Sequence, residues 1–502
     1  LALKSRALRR LDFSYSLSRV PTSDSGVRDP GCGIPEAIFP VCRRKLTSVD
    51  WVVLDGIKLG DSDLDYLVDA ASQRCSHMRA LEVGNCGLSV HDVDLLLSTA
   101  IAQANTLESI NISGVQGRLS PNVLQQYIGY FGKIKRINLS RNSRTSGPEP
   151  LLTSETLLNW KLEELSLSQT TVNRGTAHAI STYLASDLSK GLRVLRLDQC
   201  GLNGEDVAML LHSMSAKGPR NLHLYVNENR IDNSCSQLFQ AISQNKAPSH
   251  MSMRMIDFKK EEHFRELVEA LRKNRTLKCL DISKASLPYD AGPETCKSLQ
   301  LMFEENHTLE DLDISGESAH LDVARFGIGL NQALTGLKKN KSLKILRIEH
   351  QKLGLQGANT LASVLEENTC LREVYCENND INLQSFTVLV NGLQRNKIVL
   401  SLSTMERDRA ISLEKVRREF EITKRNVPTV QPPSGAIRRS FHAAMTGHVQ
   451  VGHKLTKNPP ANATPSASAE HSNPSNHDVN ILLQALAREW DTETDRLQRY
   501  LV

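Results

Sequence analysis

The sequence predicts an α/β solenoid with a parallel β-sheet on its concave face and helices on its convex face. Three observations predict it. First, the pattern Leu-x-x-Leu-x-Leu, often followed by Cys or Asn, recurs about every 28–29 residues through most of the 502-residue chain. Its clearest copies are Met78-Arg-Ala-Leu81-Glu-Val83-Gly-Asn-Cys86-Gly-Leu88 and Leu192-Arg-Val-Leu195-Arg-Leu197-Asp-Gln-Cys200-Gly-Leu202. Second, apolar residues return at helical spacing between the copies, as at Val207, Leu210, Leu211 and Met214, or at Leu330, Ala333, Leu334 and Leu337. Third, helices end alike at Asn274-Arg-Thr-Leu277, Asn306-His-Thr-Leu309, Asn340-Lys-Ser-Leu343 and Asn368-Thr-Cys-Leu371, with Asn105-Thr-Leu107 a shorter version. One such unit cannot bury its own apolar face, so neighbours must stack.

The elements follow in order. Residues 1–47 hold one partial repeat at Leu8 and an irregular insertion, since Pro21, Gly26, Pro30, Gly31, Gly33 and Pro40 break the period. The repeat domain proper spans 48–402. Its copies open near Val49, Met78, Leu107, Ile134, Leu162, Leu192, Asn221, Leu277, Leu309, Leu343 and Leu371, with a degraded copy at Met253–Phe258 and a last strand at Ile398–Leu402. Period-two alternation marks each copy as a short strand. A helix must return each strand to its parallel neighbour. The recurrent Asn is expected to take a left-handed conformation and end its helix. Residues 403–425 should form a helix that caps the solenoid, because terminal repeats need a polar outer face. Residues 426–478 are rich in Pro, Ser, Ala and Asn, and are expected to be a disordered linker. Residues 479–502 regain helical periodicity, with Asp478 as candidate N-cap and Leu482, Leu486, Leu497 and Leu501 near one side. That helix needs an occupant for its apolar side: the solenoid, a second copy in a homodimer, or another protein.

Composition narrows the function classes. The formal net charge is +5 and aromatics are 5% of residues, with no dense basic run, so nothing demands nucleic acid. No apolar stretch spans a bilayer and no signal peptide is visible. The ten cysteines form no disulfide framework. Cys86, Cys200 and Cys376 fall on positions that repeats bury, which suits a cytoplasmic protein. Leu1 is not an initiator Met and Leu8 already lies inside a repeat, so the chain reads as part of a longer protein. It contains no phosphate-binding Gly loop, no nucleophile elbow and no Cys-x-x-Cys pair. We therefore assign no catalytic residue, cofactor or metal ligand, and expect a non-enzymatic chain.

The surface most suited to function is the concave face. The residue between the second and third core leucines projects there: Val53, Glu82, Asn111, Asn138, Ser166, Arg196, Tyr225, Asp257, Asp281, Asp313, Arg347 and Tyr375. Asp257, Asp281 and Asp313, with Asp311, make a candidate acidic stripe for a basic partner segment. Arg136, Arg196 and Arg347 flank it, and Tyr225 and Tyr375 are candidate anchors.

A repeat of this length with full helices resembles the ribonuclease-inhibitor type of leucine-rich repeat, a horseshoe. The Asn-x-Thr-Leu helix ends, and the run Leu346-Arg-Ile-Glu-His-Gln-Lys-Leu353 with Leu365-Glu-Glu-Asn-Thr369, are similar to the cytoskeletal group of tropomodulins and CARMIL proteins. The layout of solenoid, closing helix and Pro/Ser-rich tail resembles CARMIL over roughly residues 48–425. That resemblance implies a scaffold in actin organisation at the cell cortex, with protein partners such as capping protein and myosin-I. The family's capping-protein motif has no match here, since Arg438-Arg-Ser-Phe441 is too short, so no family binding residue is carried over. A Ran-type GTPase activator is an alternative, although its repeats hold Asn at the ninth position, which here varies among Cys86, Val115, Asn142, Thr170, Cys200, Asn229, Ala285, Gln351 and Asn379. The sensor region of a nucleotide-switched receptor is another.

Overall fold

The computed structural model describes residues 5, 7–17, 31–43, 46–142, 148–216, 218–317, 326, 329–425 and 476–501. The expected linker lies outside them from 426 to 475. Fourteen short strands form one parallel sheet in chain order. They are β1 (Arg10–Asp12), β2 (Trp51–Val53), β3 (Ala80–Glu82), β4 (Ser109–Asn111), β5 (Arg136–Asn138), β6 (Glu164–Ser166), β7 (Val194–Arg196), β8 (His223–Tyr225), β9 (His250–Ser252), β10 (Cys279–Asp281), β11 (Asp311–Asp313), β12 (Ile345–Arg347), β13 (Glu373–Tyr375) and β14 (Ser401–Leu402). A helix or short helical turn follows nearly every strand, so the fold is the leucine-rich repeat solenoid. The chain divides into two compact units, residues 1–257 with 274–281, and residues 258–273 with 282–502.

From β2 to β13 each strand buries its central residue, such as Leu81, Ile110, Leu195 or Leu346, beneath the helices. The first and third strand residues therefore lie on the helix-free face. In-register pairing aligns Asp12, Val53, Glu82, Asn111, Asn138, Ser166, Arg196 and Tyr225 as one row through the first unit. The next member of that row is Ser252, then Asp281. In the second unit the row is Asp313, Arg347 and Tyr375.

Two kinds of buried polar side chain tie repeat to repeat. At the ninth position, Asn142, Asn229 and Asn379 donate to Ile112, Leu197 and Ile348 carbonyls at 3.1, 2.8 and 2.8 Å. Where the residue is Thr, Gln or Cys the bond persists, while Val115 and Ala285 carry no side-chain donor. The Thr170 hydroxyl reaches the Leu139 carbonyl, Gln351 reaches that of Ile314, and the Cys86 and Cys200 thiols reach those of Leu54 and Leu167. Burial pushes both thiols up to about 12, which keeps them protonated as donors. Apart from Val115 and Ala285, the varied ninth position is thus one hydrogen-bond donor in four chemical forms, aimed at the sixth-position carbonyl of the preceding repeat.

The recurrent helix-end Asn does a second job, and here the expectation was wrong. Asn306 and Asn368 are extended, with φ −80° and −74°, not left-handed. Each instead spans two repeats. Asn306 Nδ2 donates to the Leu271 carbonyl at 2.7 Å, while its Oδ1 accepts from the Thr308 and Leu309 amides. Asn274, Asn340 and Asn368 repeat the arrangement, and so does Asn396, which the sequence pattern passed over. In the early repeat Gln103 takes this role, donating to the Ala71 and Gln73 carbonyls, and Asn105 stays exposed.

The expected irregular insertion is partly regular: Ile34–Arg43 is a helix that packs on the helix Asp61–Ser72 and buries Phe39 and Cys42. Its approach is pinned by Asp63, which is buried and accepts from the Cys32, Gly33 and Gly60 amides at 2.6, 3.0 and 3.1 Å. Gly31 is at φ +78°, and a Cβ there would lie 1.8 Å from the Asp63 carboxylate.

The far end is closed by the helix Glu406–Arg425. Its Asp408 is 2% exposed and accepts from the Asn378, Asn379 and Ile381 amides at 2.6, 3.1 and 3.0 Å, bonds that a following repeat would otherwise supply. Burial outweighs these donors and raises the carboxyl from 3.8 to about 6. An acid raised on folding stabilises most below its unfolded pKa, and that contribution is lost as pH rises through the folded value. The repeat domain should therefore lose on the order of 3 kcal/mol between about pH 4 and pH 7 from this group. Asp408→Asn should remove this fall, read as denaturation midpoint against pH.

Candidate interaction face

The sequence-assigned residues separate into three sets. Arg196 and Tyr225 are neighbours on β7 and β8, and the guanidinium lies 4.1 Å from the tyrosine ring centroid. Arg347 and Tyr375 repeat this on β12 and β13 at 5.2 Å. The second pair is braced at both ends: Arg347 Nη1 donates to Asp311, and the Tyr375 hydroxyl donates to Glu373 at 2.8 Å. Such stacks fix two long side chains before any partner arrives, which lowers the entropy lost on binding.

The acidic stripe is not a row of bare carboxylates. Asp257 does not belong to it, because the degraded repeat pairs through His250–Ser252, so Ser252 stands where Asp257 was expected. Asp281 faces Arg254 at 3.6 Å, Asp311 holds Arg347, and Asp313 accepts from the Ser315 amide at 2.9 Å. The face is polar and mixed in sign.

The terminal helix, Asn476–Tyr500, begins before Asp478, which is therefore not its N-cap. It packs within the second unit on the helices Leu383–Leu393 and Glu406–Arg425. Leu486, Trp490 and Leu497 are fully buried there, while Leu482 and Leu501 are half-buried. Trp490 stacks on Phe386 at 5.2 Å, Arg409 pairs with Asp491 at 2.7 Å, and Arg496 donates to Asn391 at 2.8 Å. Of the occupants open to this helix, the chain's own repeat domain is the one in place, so Leu486 and Leu497 are not presented to a partner or a second copy.

Sequence reading missed two features of the face. His223 and His250 stack at 3.9 Å on adjacent strands. Beside the strands runs a ladder of alternating charge: Arg9 to Asp50 at 3.2 Å, Asp50 to Arg79 at 3.9 Å, Arg79 to Glu108 at 2.8 Å, and Glu108 to Lys135 at 2.9 Å. Its signal was present, since the second repeat position alternates in sign from Arg9 to Arg193. Burial would raise Glu108, but bonds from Lys135 and Arg79 hold it below the ordinary value. These groups are part exposed, so Glu108→Ala should cost no more than about 1 kcal/mol in chemical denaturation.

No family model matches the chain, and no curated protein matches it. Solved structures similar to it include leiomodin-1 actin-binding site 2, at 19% identity over 36% of this chain and 94% of that one, with TM-score 0.26. An internalin from Listeria monocytogenes matches at 14% identity over 76% and 92%, TM-score 0.37. The yeast Rad7 and Elc1 complex matches at 11% identity over 70% and 84%, TM-score 0.38. Similarity at this level says nothing about partners. Among the described residues, no helix is long and apolar enough to cross a membrane.

Proposed function

We propose that this chain is a non-enzymatic protein-interaction scaffold that binds partners on the helix-free face of its sheet. The observation that carries this is the pair of stacked Arg–Tyr sets, Arg196 on Tyr225 and Arg347 on Tyr375. Arg and Tyr dominate binding energy where they are held rigid and can be desolvated. Their neighbours on the face supply polar groups of both signs, which suit specificity rather than a single strong field. We further propose that the partners act in actin organisation, with capping protein and myosin-I as first candidates. Support for that finer reading is the sequence resemblance of Leu346–Leu353 and of the helix ends to the tropomodulin and CARMIL group.

The test is affinity capture from cytosol with the full chain, read by quantitative mass spectrometry. Wild type is compared with Arg196→Ala/Tyr225→Ala and with Arg347→Ala/Tyr375→Ala. We expect a specific set of proteins, including actin regulators, to fall at least tenfold with one or both variants. Capture that is unchanged by both would move the binding surface elsewhere.

A further inference from the structure

At the start of the first unit, Arg10, Trp51, Ala80, Ser109 and Arg136 occupy the first position of β1 to β5, in register. Trp51, Val53 and Ala80 form a buried apolar floor there. Three guanidiniums converge on the single indole: Arg136 at 5.1 Å from the ring centroid, Arg10 at 5.6 Å and Arg79 at 5.8 Å. Gathering three like charges on one ring gains only about 0.5–1 kcal/mol per contact and sets the cations against one another. Their counter-charges are unequal. Arg10 donates to Asp12 at 2.8 Å and Arg79 to Glu108 at 3.0 Å, but the Arg136 guanidinium makes no hydrogen bond among the described residues and meets Glu163 at 3.8 Å and Glu82 through charge alone. The indole N–H of Trp51, a residue 8% exposed, has no acceptor among the described residues. Nearby Glu82, raised by its burial, is engaged by the Ser109 hydroxyl.

Unspent donors on a partly exposed arginine, a buried orphan N–H and two further cations, all at one aromatic wall, describe the complement of an oxyanion. We propose that the Trp51 clasp receives an oxyanion, a side-chain carboxylate or a phosphate, carried by an acidic segment of a protein partner. Arg136 and Arg10 bind its oxygens, and Trp51 packs against the chain that carries it. This rests on the interaction-face reading but uses strands distant in sequence from both Arg–Tyr pairs.

Tryptophan fluorescence of the full chain tests it, because Trp160 and Trp490 are fully buried and Trp51 alone lies on the helix-free face. Hexaglutamate and inorganic phosphate are titrated separately at constant ionic strength. We expect saturable binding of at least one, weakened tenfold or more in Arg136→Gln, with no emission change in Trp51→Phe; circular dichroism confirms that both variants are folded. Response to phosphate alone would identify a phosphorylated segment as the source. The absence of saturation with both probes, or equal binding by Arg136→Gln, would overturn the clasp. The capture experiment with the Arg–Tyr variants is read independently, so either idea can fail alone.

Discussion

Trp490→Ala is expected to release the helix Asn476–Tyr500 from the repeat domain while leaving the repeats folded. Trp490 is wholly buried and stacks on Phe386, and truncation of such a residue costs about 3–5 kcal/mol. Besides Trp490, the docked side rests on Leu486 and Leu497, and the polar contacts are at its margin. A charged helix without its packing face is marginal in water. Hydrogen exchange should show loss of protection over 476–500, with protection over the strands unchanged. The indole N–H of Trp490 also has no acceptor among the described residues. Trp490→Phe leaves a smaller cavity and removes that donor while keeping a ring against Phe386, so it should cost about 1–2 kcal/mol, less than Trp490→Ala. If Trp490→Ala left the helix fully protected, the account of its docking would be wrong.

Asn340→Ala should destabilise the second unit by about 3 kcal/mol. The substitution deletes an amide that serves four backbone groups: its Nδ2 donates to the Phe303 and Asn306 carbonyls, and its Oδ1 accepts from the Ser342 and Leu343 amides. The bonds to Phe303, Asn306 and Leu343 are buried, and Asn340 itself is 4% exposed. Two of the four groups lead into the next strand and two belong to the preceding repeat, so the loss uncouples neighbours that depend on each other for their core. Asn105→Ala is the matched control. It sits in the same sequence motif but is exposed, with Gln103 making the clamp, and should change stability by less than about 0.5 kcal/mol. Urea denaturation followed by circular dichroism reads both.

The face was more legible than the links that hold it. Period-two alternation put Arg196, Tyr225, Arg347 and Tyr375 on one row because strand spacing is set locally by the leucines. Asp257 failed because its repeat has methionines and two competing apolar alternations; the spacing of Leu224, Met251 and Leu280 selects the earlier one. The Asn clamps were read as local caps because their second partner lies more than 30 residues away, as with Asn306 and Leu271. The helix Ile34–Arg43 was hidden by the glycines and prolines around it. The three arginines over Trp51 depend on side-chain reach across several strands, which no local pattern encodes.

The most direct measurement is hydroxyl-radical footprinting of the full chain, alone and with a captured partner. Tyr225 or Tyr375 should become protected while exposed Ile411, on the closing helix, and Tyr130, just past the helix Pro121–Ile128, keep their reactivity. Protection confined to helix-side residues, with both tyrosines unchanged, would contradict the claim that the helix-free face of the sheet is the binding surface.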